Sequence, residues 1–206
     1  MKTLADFLSA YKQVHADGYD FKIMDDTLFD LCRRFPGHTK GLERQIVAKV
    51  GLVNRAYRAN LQMGTEYAEW KLAQRLTTSD IDEHLSKLRS LSSFDEAAAP
   101  VVLQAHHSLV AVCKEVTGRW ALSFASKYLS FHVPRVVPIF DSLSYKEGWN
   151  YARGRVAAAL PGKAAEDYRW HTASVLFLAN HLRKQGIDPD VKLIDVVLYK
   201  QARGEW

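Results

Sequence analysis

The chain has 206 residues, enough for one sizeable hydrophobic core, and its 48% hydrophobic and 25% charged residues exclude wholesale disorder and fibrous architecture. Twenty-eight Lys and Arg against 23 Asp and Glu give a formal charge of +5, which permits a polyanionic partner without requiring one. Apolar runs fall short of the roughly 20 residues that cross a bilayer. The N-terminal "MKTLADFLSAYKQ" mixes charges with apolar groups instead of forming a signal-peptide core, so a cytoplasmic protein with no membrane partner is expected. Cys32 and Cys113 sit singly in apolar patterns without metal-ligand spacing; buried reduced thiols, no metal and no cofactor are expected.

Apolar residues recur at spacings of three and four along most of the chain, which predicts helices. Thr3 to Val14 carries Leu4, Phe7, Leu8 and Tyr11, and Thr27 to Phe35 carries Leu28, Leu31 and Cys32, before Pro36-Gly37 stops the chain. A long run is predicted over Thr39 to Leu61, then helices over Thr65 to Leu76 and Ser79 to Leu91, the latter opened by a capping-box-like Ser79 and Asp82. Further helices are expected over Pro100 to Val116, Arg119 to Phe131, from near Asp141, over Asp167 to Lys184 and over Asp190 to Gln201. With no alternating strand pattern and no internal repeat, the fold class is all-α, one unit spanning residues 1–206.

Several chemistries lack their usual carriers: there is no Walker loop, no GxGxxG after a strand, no HExxH and no GxSxG. His106 and His107 are adjacent on a helix, about 100° apart, so they do not point at one ion. The informative segment is 115–149: a helix, a glycine turn at Thr117-Gly118, a second helix, a proline-bounded connector and Asp141 opening a third. On the second helix, Ser123, Ser126, Lys127 and Ser130 form a small polar face, suited to close approach by another helix or a phosphate backbone.

The string "GRWALSFASKYLSFHVPRVVPIFDS" resembles the helix-hairpin-helix superfamily of DNA glycosylases, closest to the 8-oxoguanine DNA glycosylase-like branch and its bacterial relatives. "VNRAYRANL" and "KLIDVVLYKQARG" are similar to helices of the same relatives. The resemblance implies a two-lobed helical bundle with a cleft, acting as a monomer on double-stranded DNA with an extruded modified base. It implies that Asp141 is the catalytic carboxylate, stabilising oxocarbenium charge and orienting water. A helix N-cap is the plain alternative for Asp141, and both roles are compatible. DNA contacts are expected from Gly118, Arg119, Lys127, Arg135 and Ser142, and a base pocket from Asn54, Tyr57, Trp120, His132, Tyr145 and Trp149.

Two departures matter. Bifunctional members carry a nucleophilic lysine just after the hairpin, where this chain has Arg119, Trp120 and Ala121, so a monofunctional enzyme is expected. The glycine-rich turn is reduced to Gly118. Other classes remain open: a non-catalytic helical nucleic-acid-binding protein on the same scaffold, or a helical protein-interaction module.

Overall fold

The computed structural model describes residues 2–61 and 66–205. Among these residues the chain forms helices α1 (Leu4–Asp17), α2 (Lys22–Arg34), α3 (Glu43–Ala56), α4 (Ala68–Leu76), α5 (Ile81–Arg89), α6 (Ala99–Thr117), α7 (Leu122–His132), α8 (Ser142–Ala152), α9 (Glu166–Lys184) and α10 (Val191–Ala202), with no strand. The class is all-α. None of these helices is long and apolar enough to cross a membrane.

Local chemistry explains most boundaries, and the departures from the sequence reading have identifiable causes. Thr3 starts α1 with a reciprocal capping box to Asp6. The run expected to continue to Leu61 stops at Ala56, because Arg58 and Asn60 adopt left-handed φ of 47° and 55°. The Asn54 side chain then receives the Leu61 N–H at 2.8 Å and closes this turn. Thr65, the expected start of the next helix, lies outside the described residues; α4 runs from Ala68. The capping pair expected at Ser79 and Asp82 does not form. Asp82 instead accepts the His38 backbone N–H at 2.8 Å and meets its Nδ1 at 2.7 Å, while Ser79 Oγ donates to the Leu76 carbonyl.

Helix α7 is the axis of the larger set of helices, packed against α2, α3 and α6, with α4 and α5 completing that side. Helices α8 and α9 pack together and on α10, and α1 returns to cover α10. Of the two uses expected for the small polar face of α7, approach by another helix is the one found: Ser126, Lys127 and Ser130 are all buried, at 0%, 6% and 1% exposure. Small residues there let neighbouring helices approach, the option that needs no phosphate.

Cys32 and Cys113 are buried free thiols. His106 is fully buried beneath Tyr168, its ring stacked at 3.5 Å, and its Nε2–H donates to the Leu122 carbonyl at 3.0 Å, leaving Nδ1 unpaired. His171 is likewise buried and donates through Nε2 to the Ile139 carbonyl at 2.7 Å. Burial pushes the first imidazole down to about 3 and the second to about 4.

The unfolded chain protonates these rings near 6.5 and the folded chain does not until the pH is far lower, so stability declines as pH falls through this interval. Each ring contributes a loss of about 2 kcal/mol between pH 7 and 5. Asp195, which burial pushes up to about 6, opposes this with a gain of about 1 kcal/mol. Denaturant unfolding is therefore predicted to show a net decrease of at least about 3 kcal/mol from pH 7 to 5, since burial also lowers His38, to about 4, and His132. A flat or rising profile would show that the buried imidazoles titrate normally.

Candidate active site

The connector between α7 and α8 is held along its length. Tyr168 donates its hydroxyl to the Pro138 carbonyl at 3.0 Å, His171 donates to the Ile139 carbonyl, and the Phe140 N–H donates to Ser126 Oγ at 2.8 Å. Proline removes donors and restricts φ, and these three side chains satisfy successive polar groups that remain. Each such bond contributes about 1 kcal/mol, and leaving its buried partner unmade costs more. Asp141 follows at once in extended backbone, capping α8 by accepting the Leu143 N–H on Oδ1 at 2.9 Å. Its side chain remains 28% exposed.

The second oxygen of Asp141 lies 3.7 Å from Lys127 Nζ. That ammonium also donates to the Tyr57 carbonyl at the end of α3, at 3.1 Å. Burial lowers the Lys127 pKa, against the opposing fields of Asp141 and Asp195. A partly exposed carboxylate and a buried amine of weakened basicity thus meet at the start of α8.

Behind this pair lies a chain of buried polar groups from three more elements. The Tyr57 hydroxyl donates to Asp25 Oδ1, and Tyr19 donates to Asp25 Oδ2 at 2.8 Å. Lys192 Nζ sits 3.2 Å from the same Oδ2 and 3.9 Å from Asp195 Oδ2. Ser144, on the first turn of α8, donates to Asp195 Oδ1 at 3.0 Å. Asp25 is fully buried, and an unpaired carboxylate there would be costly. Tyr19 and Lys192 also line a cavity of about 630 Å³, with Phe29, Phe94, Arg135 and Asp190 among its walls.

The sequence-predicted residues divide sharply. Asp141, Tyr57 and Lys127 come together, and Ser142 is exposed beside them in sequence. Lys127 is not the phosphate contact its spacing suggested, because the surrounding helices bury it. Gly118 takes a left-handed φ of 72° as the C-cap of α6, and its N–H is spent on the Lys114 carbonyl at 2.8 Å. The Arg119 N–H is engaged by Thr117 Oγ1 at 3.3 Å, so neither amide is free for a phosphate in this arrangement. The Arg119 side chain is exposed, as is that of Arg135 on the cavity wall.

Among the expected base-pocket residues, Asn54 is committed elsewhere: its amide joins Glu69 and the Leu61 N–H. His132 packs with His38 and Tyr128, at ring separations of 5.2 and 5.1 Å, and burial pushes its pKa well down. Trp120 is 57% exposed under the Lys114 ammonium, 3.9 Å from its ring centre, on a separate cavity of about 370 Å³ that also includes His106 and Lys163. Tyr145 lies beside Phe140 and His171, and Trp149 packs edge-on against Trp170 at 4.9 Å. Both lie on α8, where the Tyr145 backbone N–H donates to the Asp141 carbonyl at 2.8 Å in the helix's first turn.

Sequence reading missed Asp25, Lys192 and Asp195 as site members. A signal existed for Asp25: it shares the buried stripe of α2 with Leu28 and Cys32, at spacings of three and four. Asp195 is similarly set within the apolar run "LIDVVL". Among the described residues no group of three or more His, Cys, Asp or Glu side chains is arranged to hold a metal.

The chain matches a family model described as an N-terminal domain, HI_0787_N, over residues 3–136, and it belongs to that family. The match covers α1 to α7 and ends in the connector, so Asp141 and helices α8 to α10 lie beyond it. No curated protein and no solved structure matches the chain.

Ser126→Ala tests the connector's anchoring. The Phe140 amide is predicted to exchange with solvent about fivefold faster in the variant, in line with the loss of roughly 1 kcal/mol. Unchanged exchange would mean that Ser126 does not hold it.

Proposed function

We propose that the protein is a DNA glycosylase of the two-lobed helix-hairpin-helix type that hydrolyses the N-glycosidic bond of a damaged or modified base through Asp141. The observation that carries this reading is the placement of one partly exposed carboxylate at the end of an anchored connector, after a helix, glycine turn and helix. The fixed negative charge suits a transition state in which the sugar becomes oxocarbenium-like. Base extrusion brings the reacting sugar carbon to such a site, since the duplex otherwise shields it. Arg119 and Arg135, both exposed, are the basic side chains assigned to the phosphates, and this part of the affinity depends on salt.

The absence of a lysine directly after the hairpin favours a monofunctional enzyme that leaves an abasic site. The 3.7 Å separation of Lys127 from Asp141 favours a second reading. In that reading the neutral amine forms a bond to the sugar C1′ as the base departs with the electron pair of the broken bond; the amine then loses a proton and the C1′–O4′ bond breaks, O4′ keeping the electron pair and taking up a proton, to give a Schiff base. The lowered basicity of Lys127 works in the same direction.

Asp141→Asn retains an oxygen able to cap α8 and removes only the charge. On duplexes carrying oxidised, alkylated, deaminated or hypermodified bases, wild-type protein is predicted to generate abasic sites and the variant to do so at least about 100-fold more slowly. Borohydride trapping of a covalent adduct that is lost in Lys127→Met selects the amine reading; base release without an adduct selects the monofunctional one. DNA retention without base release from any duplex, or full activity in Asp141→Asn, contradicts the proposal and leaves nucleic-acid binding alone.

A further inference from the structure

The cavity of about 370 Å³ is separate from the one that Lys192 lines. Its wall is built from His106, His107 and Val110 on α6, Trp120 in the turn between α6 and α7, and Lys163 and Ala165 just before α9. Asp141 and Lys127 meet instead between the end of α3, α7 and α8. The volume falls within the range of small-ligand sites, about 300–1,000 Å³. Gly162 brings the Lys163 segment close to α6: its φ is 147°, and a Cβ there would lie 3.3 Å from the Leu103 side chain.

Two features of the wall narrow what it can hold. The first is a fixed aromatic face under positive charge. Trp120 is 57% exposed, and the Lys114 ammonium, 3.9 Å from its ring centre, holds one face. Glu115, next to Lys114 in sequence, is turned to Arg75 at 2.9 Å. Among the described residues neither Lys114 nor Lys163 has a carboxylate within 4.0 Å, and no acid stands in the wall. An anionic group is the occupant that matches this charge.

The second feature is a preformed acceptor. His106 donates through Nε2 to the Leu122 carbonyl, so Nδ1 carries a lone pair, and that nitrogen has no partner among the described residues. Tyr168 covers one face of the imidazole and is itself pinned by its hydroxyl to the Pro138 carbonyl. What the ring has left for the cavity is its second face and the Nδ1 edge. Burial keeps it neutral, so the acceptor persists at physiological pH. A buried acceptor without a donor is costly, and a ligand N–H relieves that cost.

We propose that this cavity is a nucleotide-binding site: a nucleobase stacks on Trp120 and donates an N–H to His106 Nδ1, while the attached phosphate is held by Lys163. Every common base offers a π face and an N–H donor. A bare phosphate would leave the indole and Nδ1 unused, and an apolar ligand would leave the cations unmatched. A free mononucleotide and an unpaired nucleotide within a strand present the same chemistry. Neither requires Asp141 or base release, so the site goes beyond the glycosylase reading and is tested apart from it.

The test titrates the whole chain by calorimetry with the four deoxynucleoside 5′-monophosphates and, separately, with a single-stranded DNA of about ten nucleotides. Saturable binding is expected, weakened about tenfold in Trp120→Ala and largely kept in Trp120→Phe, which retains a stacking face. Lys163→Ala should weaken the monophosphates about fivefold and leave the unphosphorylated deoxynucleosides unchanged. Both side chains are exposed, so these variants spare the core. In ¹⁵N-histidine spectra one unprotonated ring-nitrogen signal should move upfield on binding, as expected for an acceptor that gains a donor.

Binding of the strand but not of the monophosphates supports the site with the strand as its source; binding of both shows that a free nucleotide suffices. Affinities for both probes that are unchanged in Trp120→Ala overturn the proposal. So does inorganic phosphate that displaces the monophosphates at equal concentration, since the ring would then contribute nothing.

Discussion

A lysine ammonium shut away from water must find its partners within the protein. Lys127 does so through the Tyr57 carbonyl and Asp141, and much of the architecture follows from supplying those two groups. The first requires α3 to end where it does, with the chain turning through two left-handed residues after Ala56. The second requires the connector to arrive from α7 at a fixed register. A slip of one residue would present Phe140 or Ser142 in place of the carboxylate. Ser126, Tyr168 and His171 prevent that by engaging consecutive residues, from helices α7 and α9.

The same reasoning extends inward. Asp25 is compatible with full burial because two tyrosine hydroxyls and one ammonium surround its carboxylate. Those partners belong to the α1–α2 turn, the end of α3 and α10, so the polar chain ties together helices that share little other sequence proximity. Burying such groups gives modest net stability and penalises alternatives heavily, since any rearrangement strands a charge. The arrangement favours one relative placement of the helices around Lys127 and Asp141.

How much of this the sequence disclosed depended on the range of the interaction. Helix periodicity, the glycine turn, the proline arm and the capping role of Asp141 are local, and each was legible. Lys127 was misplaced because a polar stripe on a helix looks the same whether water or another helix covers it. Asn54 and His132 were assigned to a pocket on residue type, yet Asn54 is spent on Glu69 and the Leu61 N–H, and the His132 ring packs between His38 and Tyr128. The Ser79 and Asp82 pattern was locally valid and lost to a stronger distant bond with His38. Acids at core-facing positions, Asp25 and Asp195, were the overlooked clue: an ionisable group in an apolar register calls for a partner.

The central claim is that the anchored connector makes Asp141 and Lys127 one energetic unit. A double-mutant cycle on folding stability with Asp141→Asn and Lys127→Met measures this directly. The account predicts a coupling of about 1 kcal/mol or more, as for groups in one polar network, whereas losses that add within about 0.3 kcal/mol would contradict it.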